Sequence, residues 1–253
     1  MKLELDQVSA QHPAARPDAP LALHGLTLRV EAGEAVAVIG PSGAGKTSLL
    51  ALLACALKPQ TGQLLIGGFA PWQLSTAALQ RRRRQLFLLP QTPPLPPRQR
   101  VVTAVLAGRL AQQSLWASLR SLVYPTDIAA AHAALAQFDV EGKLFARVDR
   151  LSGGERQRVA LAQLLLAQAR LWLVDEPLSA LDPARAAQAI AVLIDAAAQR
   201  DATLICGLHQ VEIALLKFGR IIGLRAGGLV FDRPAAQVTA AMIRDLYATN
   251  TAA

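Results

Sequence analysis

The chain has 253 residues, 53% hydrophobic and 17% charged, with a formal net charge of +8. That length supports one large domain or two small ones with a full core; no run of roughly 18 apolar residues is available to span a bilayer, and the acid-bearing start MKLELDQVSAQH lacks the apolar segment of a secretory signal. Aromatic residues make up only 4%, a weak basis for a base-stacking platform, and Cys55 and Cys206, alone in LLACAL and TLICGL, read as core thiols in a soluble, cytosolic chain.

Short β-rich segments come first: MKLEL, LTLRV and EAVAVIG. A helix follows in GKTSLLALLACAL, then a short strand in TGQLLIGG. STAALQRRRR reads as a helix whose terminal cations suit its C-terminal dipole, and QLFLL as another strand. The run Arg81–Arg84, with Arg98 and Arg100 nearby, fits either a solvated helix end or a site for nucleic acid, an anionic membrane surface or a nucleotide. QTPPLPPRQR, with four prolines, breaks regular structure. From about 101 to 169 the pattern is helical. Strand and helix then alternate: LWLVDEP, a helix from Pro183 to Arg200, ATLICGLH, a short helix, RIIGLRAG, GLVFD and two final helices. Strands separated by helices imply a parallel sheet with helical layers. The middle helical stretch reads as an inserted subdomain, about 92–169, with core and β-subdomain at 1–91 and 170–253.

GPSGAGKT, residues 40–47, fits G-x-x-x-x-G-K-[ST] between an apolar strand and a helix. Gly40, Gly43 and Gly45 let the loop wrap so that N–H groups face phosphates, aided by the helix dipole. Lys46 reaches the β- and γ-phosphates and the Thr47 hydroxyl suits Mg²⁺. LWLVDEP ends a buried strand in Asp175, suited to Mg²⁺, and Glu176, suited to polarising water, at the sheet edge where ligands bind. Gln91 and His209 also follow strands. Each taken alone is equally a loop amide or a surface histidine. Cys55 and Cys206 offer no metal site.

RLSGGERQRVALAQLLLAQ, residues 150–168, opens a helix with a capping box, Ser152 and Glu155. Gly153 and Gly154 cost roughly 1 kcal/mol each against alanine in that first turn, so something is expected to approach this backbone closely.

In order, GPSGAGKTS, Gln91, LSGGERQ, LWLVDEP, SALD (179–182) and His209 resemble the nucleotide-binding subunit of ATP-binding-cassette (ABC) transporters, along essentially the whole chain. The resemblance implies a P-loop NTPase with a RecA-like α/β core, an N-terminal antiparallel β-subdomain and the helical insertion. It makes Gly40, Pro41, Ser42, Gly43, Ala44, Gly45, Lys46, Thr47 and Ser48 the ATP loop. Gln91 becomes the contact to metal and water, with Thr47 and Asp175 at Mg²⁺, Glu176 the catalytic base and His209 the switch histidine. Ser152, Gly153 and Gly154 then close over ATP bound at Lys46 of a second copy in a head-to-tail homodimer, with Ser179–Asp182 as the D-loop. The family's adenine-stacking aromatic is here His12, and an arginine of the signature helix is here Gln163. The segments 104–122, ending near Pro125 and Asp127, 208–214 and 221–232 most resemble the ATPases of bacterial phosphonate or phosphite importers. Implied partners are transmembrane permease subunits, met by the proline-rich loop and the region of Trp116, and a substrate-binding protein, with no direct nucleic acid. The location implied is peripheral, on the cytoplasmic side of the cell membrane. Trp116 also fits plain core packing. Other readings are another importer or an exporter, a soluble ABC ATPase acting on nucleic acid or ribosomes, which the single cassette without heptads opposes, and an inactive binding module, which Lys46, Glu176 and His209 oppose.

Overall fold

A computed structural model describes residues 1–12, 20–123 and 126–248; Pro125 lies outside them. In chain order, β1 (Leu3–Gln11), β2 (Leu21–Val30), β3 (Ala35–Ile39) and α1 (Lys46–Leu53) are followed by β4 (Thr61–Ile66), α2 (Thr76–Arg83) and β5 (Leu86–Leu89). The middle of the chain holds α3 (Val101–Leu106), α4 (Leu115–Val123), α5 (Ile128–Ala136) and α6 (Gly153–Leu166). Then come β6 (Leu171–Asp175), α7 (Pro183–Gln199), β7 (Thr203–Leu208), α8 (Val211–Lys217), β8 (Arg220–Arg225), β9 (Gly228–Pro234) and α9 (Ala240–Tyr247).

Two sheets form among the described residues. One is antiparallel, ordered β2-β1-β4; the other is ordered β5-β6-β7-β3-β8-β9 and is parallel except for β9. β9 runs back because Ala226 and Gly227, at φ 48° and 78°, make a two-residue turn, the conformation that joins twisted antiparallel strands. The first two strands extend well past MKLEL and LTLRV, since β1 pairs with β2 on one side and β4 on the other. At the C-terminus the structure has one α-helix, preceded by a single 3₁₀ turn at Ala235–Gln237, where the sequence reading has two helices.

The central strands are buried on both faces, and their two-residue period divides the molecule. Val36, Val38, Leu171 and Leu173 join the antiparallel sheet and α1 in one apolar cluster. Ala37, Ile39, Trp172 and Val174 join α3, α5, α6, α7 and α8 in the other. Both cysteines are buried, as a core reading expects; burial lifts the Cys55 thiol to about 11.

This packing fixes where strands end. Ile39 pairs with Leu208, Asp175 with Gly207, and Leu89 with Val174. The four strands therefore stop nearly level, and the residues just beyond them share one edge.

Candidate active site

That edge forms a cleft of about 400 Å³ lined by His12, Ala22, residues 42–48, Gln91, Glu176 and His209. Lys46 starts α1 and is only 4% exposed. Its ammonium donates to the carbonyl oxygens of Gly40 (2.9 Å) and Pro41 (3.3 Å), and lies 3.9 Å from Glu176 Oε1. Burial pulls its pKa down, opposed by the charges of Glu176 and Asp175. The Thr47 hydroxyl donates to Asp175 Oδ2 at 2.7 Å. Asp175 Oδ1 is buried without a hydrogen-bond partner among the described residues, and burial raises the pKa of this carboxyl, opposed by the Thr47 hydrogen bond.

Glu176 is the hub. Gln91 Nε2 donates to its Oε2 at 2.7 Å, and His209 Nε2 contacts its Oε1. Its backbone turns out of β6 at φ 47°, a conformation that costs a non-glycine residue on the order of 1–3 kcal/mol. The Glu176 N–H donating to Gly207 O at 2.9 Å helps hold it there. His12, just after β1, lines the same cleft, as does Ala22.

The loop glycines divide by neighbourhood. A Cβ on Gly40 would meet the Leu224 carbonyl oxygen at 2.1 Å, and one on Gly45 the Ala22 oxygen at 2.7 Å; beside Gly43 there is open space. Gly40 and Gly45 are therefore required by the protein's own packing, whereas the sequence reading assigned all three to wrapping phosphate. The Ala226–Gly227 turn braces the loop from behind: Gly227 N–H donates to Ala44 O at 3.1 Å, and His24 N–H to Gly227 O at 2.9 Å.

Ser152, Gly153 and Gly154 do not line this cleft. The capping box forms: Ser152 N–H donates to Glu155 Oε2 (2.8 Å), and Glu155 N–H to Ser152 Oγ (3.2 Å). Lys143 pairs with Glu155 at 3.2 Å. Gly154 has a reason within the chain, since its Cβ would sit 2.7 Å from Ala180 O. Gly153 has ample room. Thus one of the two glycines serves the seating of residues 179–182 on α6, which the sequence reading gave wholly to an external approach. Asp182 also caps α7, accepting from Arg185 N–H at 3.1 Å.

Sequence reasoning missed Ala22, Gly207 and the part the 226–227 turn plays behind the loop. Gly207 carried a signal, because a glycine inside a buried strand marks close approach; a Cβ there would lie 3.1 Å from Asp175 Oδ1.

A family model for ABC transporters matches residues 23–179. The chain belongs to the ABC transporter family. A phosphonates import ATP-binding protein of Albidiferax ferrireducens is 64% identical over 99% of this chain and 90% of that protein. One of Polaromonas sp. is 64% identical with the same coverage, and one of Pseudomonas aeruginosa 53% identical over 99% and 92%. Among solved structures, the dimeric structure of a bacterial ABC transporter cassette superposes with a TM-score of 0.78 at 24% identity, covering 92% of this chain and 98% of that one. A nucleotide-free ABC cassette gives 0.75 at 19% identity, covering 97% and 95%. Its fold is thus the ABC ATPase fold, and as a family member it binds ATP and is an ATPase that powers transport.

Proposed function

We propose that this chain is the ATP-hydrolysing subunit of an importer for phosphonate or a related small oxyanion. The observation that carries the site assignment is the convergence of Lys46, Gln91, Glu176 and His209 on one cleft at the ends of four strands. The cargo rests on the names borne by relatives up to 64% identical along nearly the whole chain.

In this reading the 40–48 loop wraps the phosphates of ATP, with Lys46 moving its ammonium from the Gly40 carbonyl onto them. Thr47, Asp175 and the amide oxygen of Gln91 would supply only oxygen donors, the set Mg²⁺ prefers, and the orphaned Asp175 Oδ1 is a buried acceptor that a hydrated cation would satisfy. Bound there, the ion would neutralise charge on the phosphates. Glu176 takes the proton of the attacking water. Gln91 and His209 fix its carboxylate from both sides, and His209, lining the same cleft, is the proposed donor to the terminal phosphate.

Ser152 to Gly154, outside their own cleft, close over ATP of a second copy in a two-fold head-to-tail dimer; the α6 N-terminus offers N–H groups to phosphate. The 91–100 loop is tied to the 146–149 segment by Val101 N–H to Ala146 O (3.0 Å), Val148 N–H to Gln99 O (3.0 Å) and Asp149 N–H to Pro97 O (2.9 Å). A stiff loop bonded to the segment leading into α6 suits contact with permease subunits on the cytoplasmic side of the membrane, where a substrate-binding protein would deliver cargo from the other side. Residues about 92–169 form the helical subdomain in this reading.

The test is growth of a deletion strain on a phosphonate or phosphite as sole phosphorus source. Loss of growth, restored by the parent gene and not by Lys46→Ala, is expected. Undiminished growth with no second importer present refutes the cargo.

A further inference from the structure

Between Glu34 and Asp127 lie 92 residues with no Asp or Glu and ten Lys or Arg. Lys46 is spent in the active-site cleft. Much of the remainder gathers around the end of α2. Arg81, Arg83 and Arg84 are exposed, and none of the run makes an ion pair among the described residues. Arg82 stacks on the Phe69 ring at 3.7 Å, and Arg83 donates to the Cys55 carbonyl. Two of the four are thus partly engaged with the protein, while Arg81 and Arg84 face solvent.

Apolar side chains accompany them. Gln112 Nε2 donates to Arg84 O at 2.7 Å, which pins the start of the α4 region to the end of the arginine run. Ser114 caps α4, its Oγ accepting from Ala117 N–H at 3.3 Å. Four residues beyond Gln112, at most about 14 Å of chain, Trp116 stands 82% exposed, with Leu119 at 50%. Core packing of Trp116 is thereby corrected. Arg120 follows, exposed and without an ion pair among the described residues. Phe69 is itself 41% exposed beneath Arg82.

Exposed arginines beside exposed Trp, Leu and Phe, with no carboxylate in the local sequence, have the chemistry of an interfacial anchor: cations for lipid phosphates, apolar rings for the acyl boundary. We infer that the face formed by Arg81, Arg84, Trp116, Leu119 and Arg120 binds an anionic lipid surface directly, without a permease. Nucleic acid would use the same cations, but it has no use for an exposed Leu119 and would want stacked aromatics in a groove. The face lies apart from the nucleotide cleft, so the inference stands whether or not the cargo proposed above is correct.

The test is sedimentation of the purified full chain with vesicles of phosphatidylcholine alone or with 30% phosphatidylglycerol, at about 0.1 M salt. Binding is expected to the anionic vesicles only, to weaken as salt rises, and to blue-shift tryptophan emission. Arg81→Gln, Arg84→Gln and Arg120→Gln together should weaken it on the order of 100-fold, about five-fold for each charge removed. Trp116→Ser with Leu119→Ser should abolish the emission shift. Both variants should retain ATP binding, which shows that they fold. The inference is overturned by equal sedimentation with neutral and anionic vesicles, by no sedimentation with either, by a triple variant that binds as the parent does, or by binding to duplex RNA that excess anionic vesicles fail to displace.

Discussion

Gln91 and Glu176, 85 residues apart, are joined by a 2.7 Å hydrogen bond from the amide Nε2 to carboxylate Oε2. The bond links the loop that leaves β5 to the strand end that carries the proposed base. A displacement of the 91–100 loop therefore reaches the carboxylate that would handle water.

Glu176→Gln should bind ATP and hydrolyse it very slowly. An amide cannot take the proton, and general-base help is worth roughly 10²–10⁴-fold. Lys46, Thr47 and Asp175 are untouched, and one negative charge beside the phosphates is gone, so an ATP-held dimer should accumulate. Adding Ser152→Arg should return the protein to monomer with its nucleotide still bound. Size-exclusion chromatography with ATP checks both; a Glu176→Gln protein that stays monomeric at saturating ATP counts against the head-to-tail arrangement.

The two glycines of α6 should separate in experiment. Gly154→Ala crowds the Ala180 carbonyl and should lower the melting temperature of the monomer, by about 1–3 kcal/mol of stability. Gly153→Ala meets no crowding and gains helix propensity of roughly 1 kcal/mol, so its monomer should melt no lower than the parent. In the dimer the order changes, because Gly153→Ala narrows the approach to a partner's phosphate. Equal effects of the two on monomer melting would show that the Ala180 contact does not govern.

Asp175→Asn should make the nucleotide-free chain more stable while removing hydrolysis. The Thr47 hydroxyl keeps an acceptor, and the buried charge disappears. Because burial raises the native pKa of Asp175 above 3.8, the native state holds more protons than the unfolded chain between those two values. Stability is then lost as pH rises through that window. The thermal advantage of the asparagine variant should be present at neutral pH, shrink as pH falls through that window and vanish below the unfolded value of 3.8. A lower melting temperature at pH 7 than the parent would refute this account.

His12→Ala should weaken ATP binding by up to roughly tenfold, within the range for aromatic stacking on a base, and His12→Tyr should tighten it modestly through greater ring area. Titration with a fluorescent ATP analogue reads both; unchanged affinity in the two variants places the base elsewhere.

Most of the strand–helix order, the phosphate loop and the strand ends were legible because each rests on local pattern: apolar runs closed by Gly40, by Asp175 and by His209. What Gly40, Gly45 and Gly154 press against was not, since Leu224, Ala22 and Ala180 come near only when the sheet assembles. The antiparallel return of β9 was half visible: GLRAGGL marks a tight turn, but strand direction follows from φ at Ala226. Asp182 as a helix cap was hidden behind its family motif, although an Asp before Pro183 is itself a helix-start signal.

The brace at Ala226–Gly227 also bears on the order of events during synthesis. Residues 40–48 leave the ribosome early, with their whole motif intact, yet the backbone that supports them at Ala44 belongs to a turn made some 180 positions later. Contacts so distant along the chain form late. A nascent or truncated chain stopping short of the hairpin therefore carries the written phosphate loop without its scaffold. The brace beneath the loop therefore awaits a turn made some 180 residues after the loop itself.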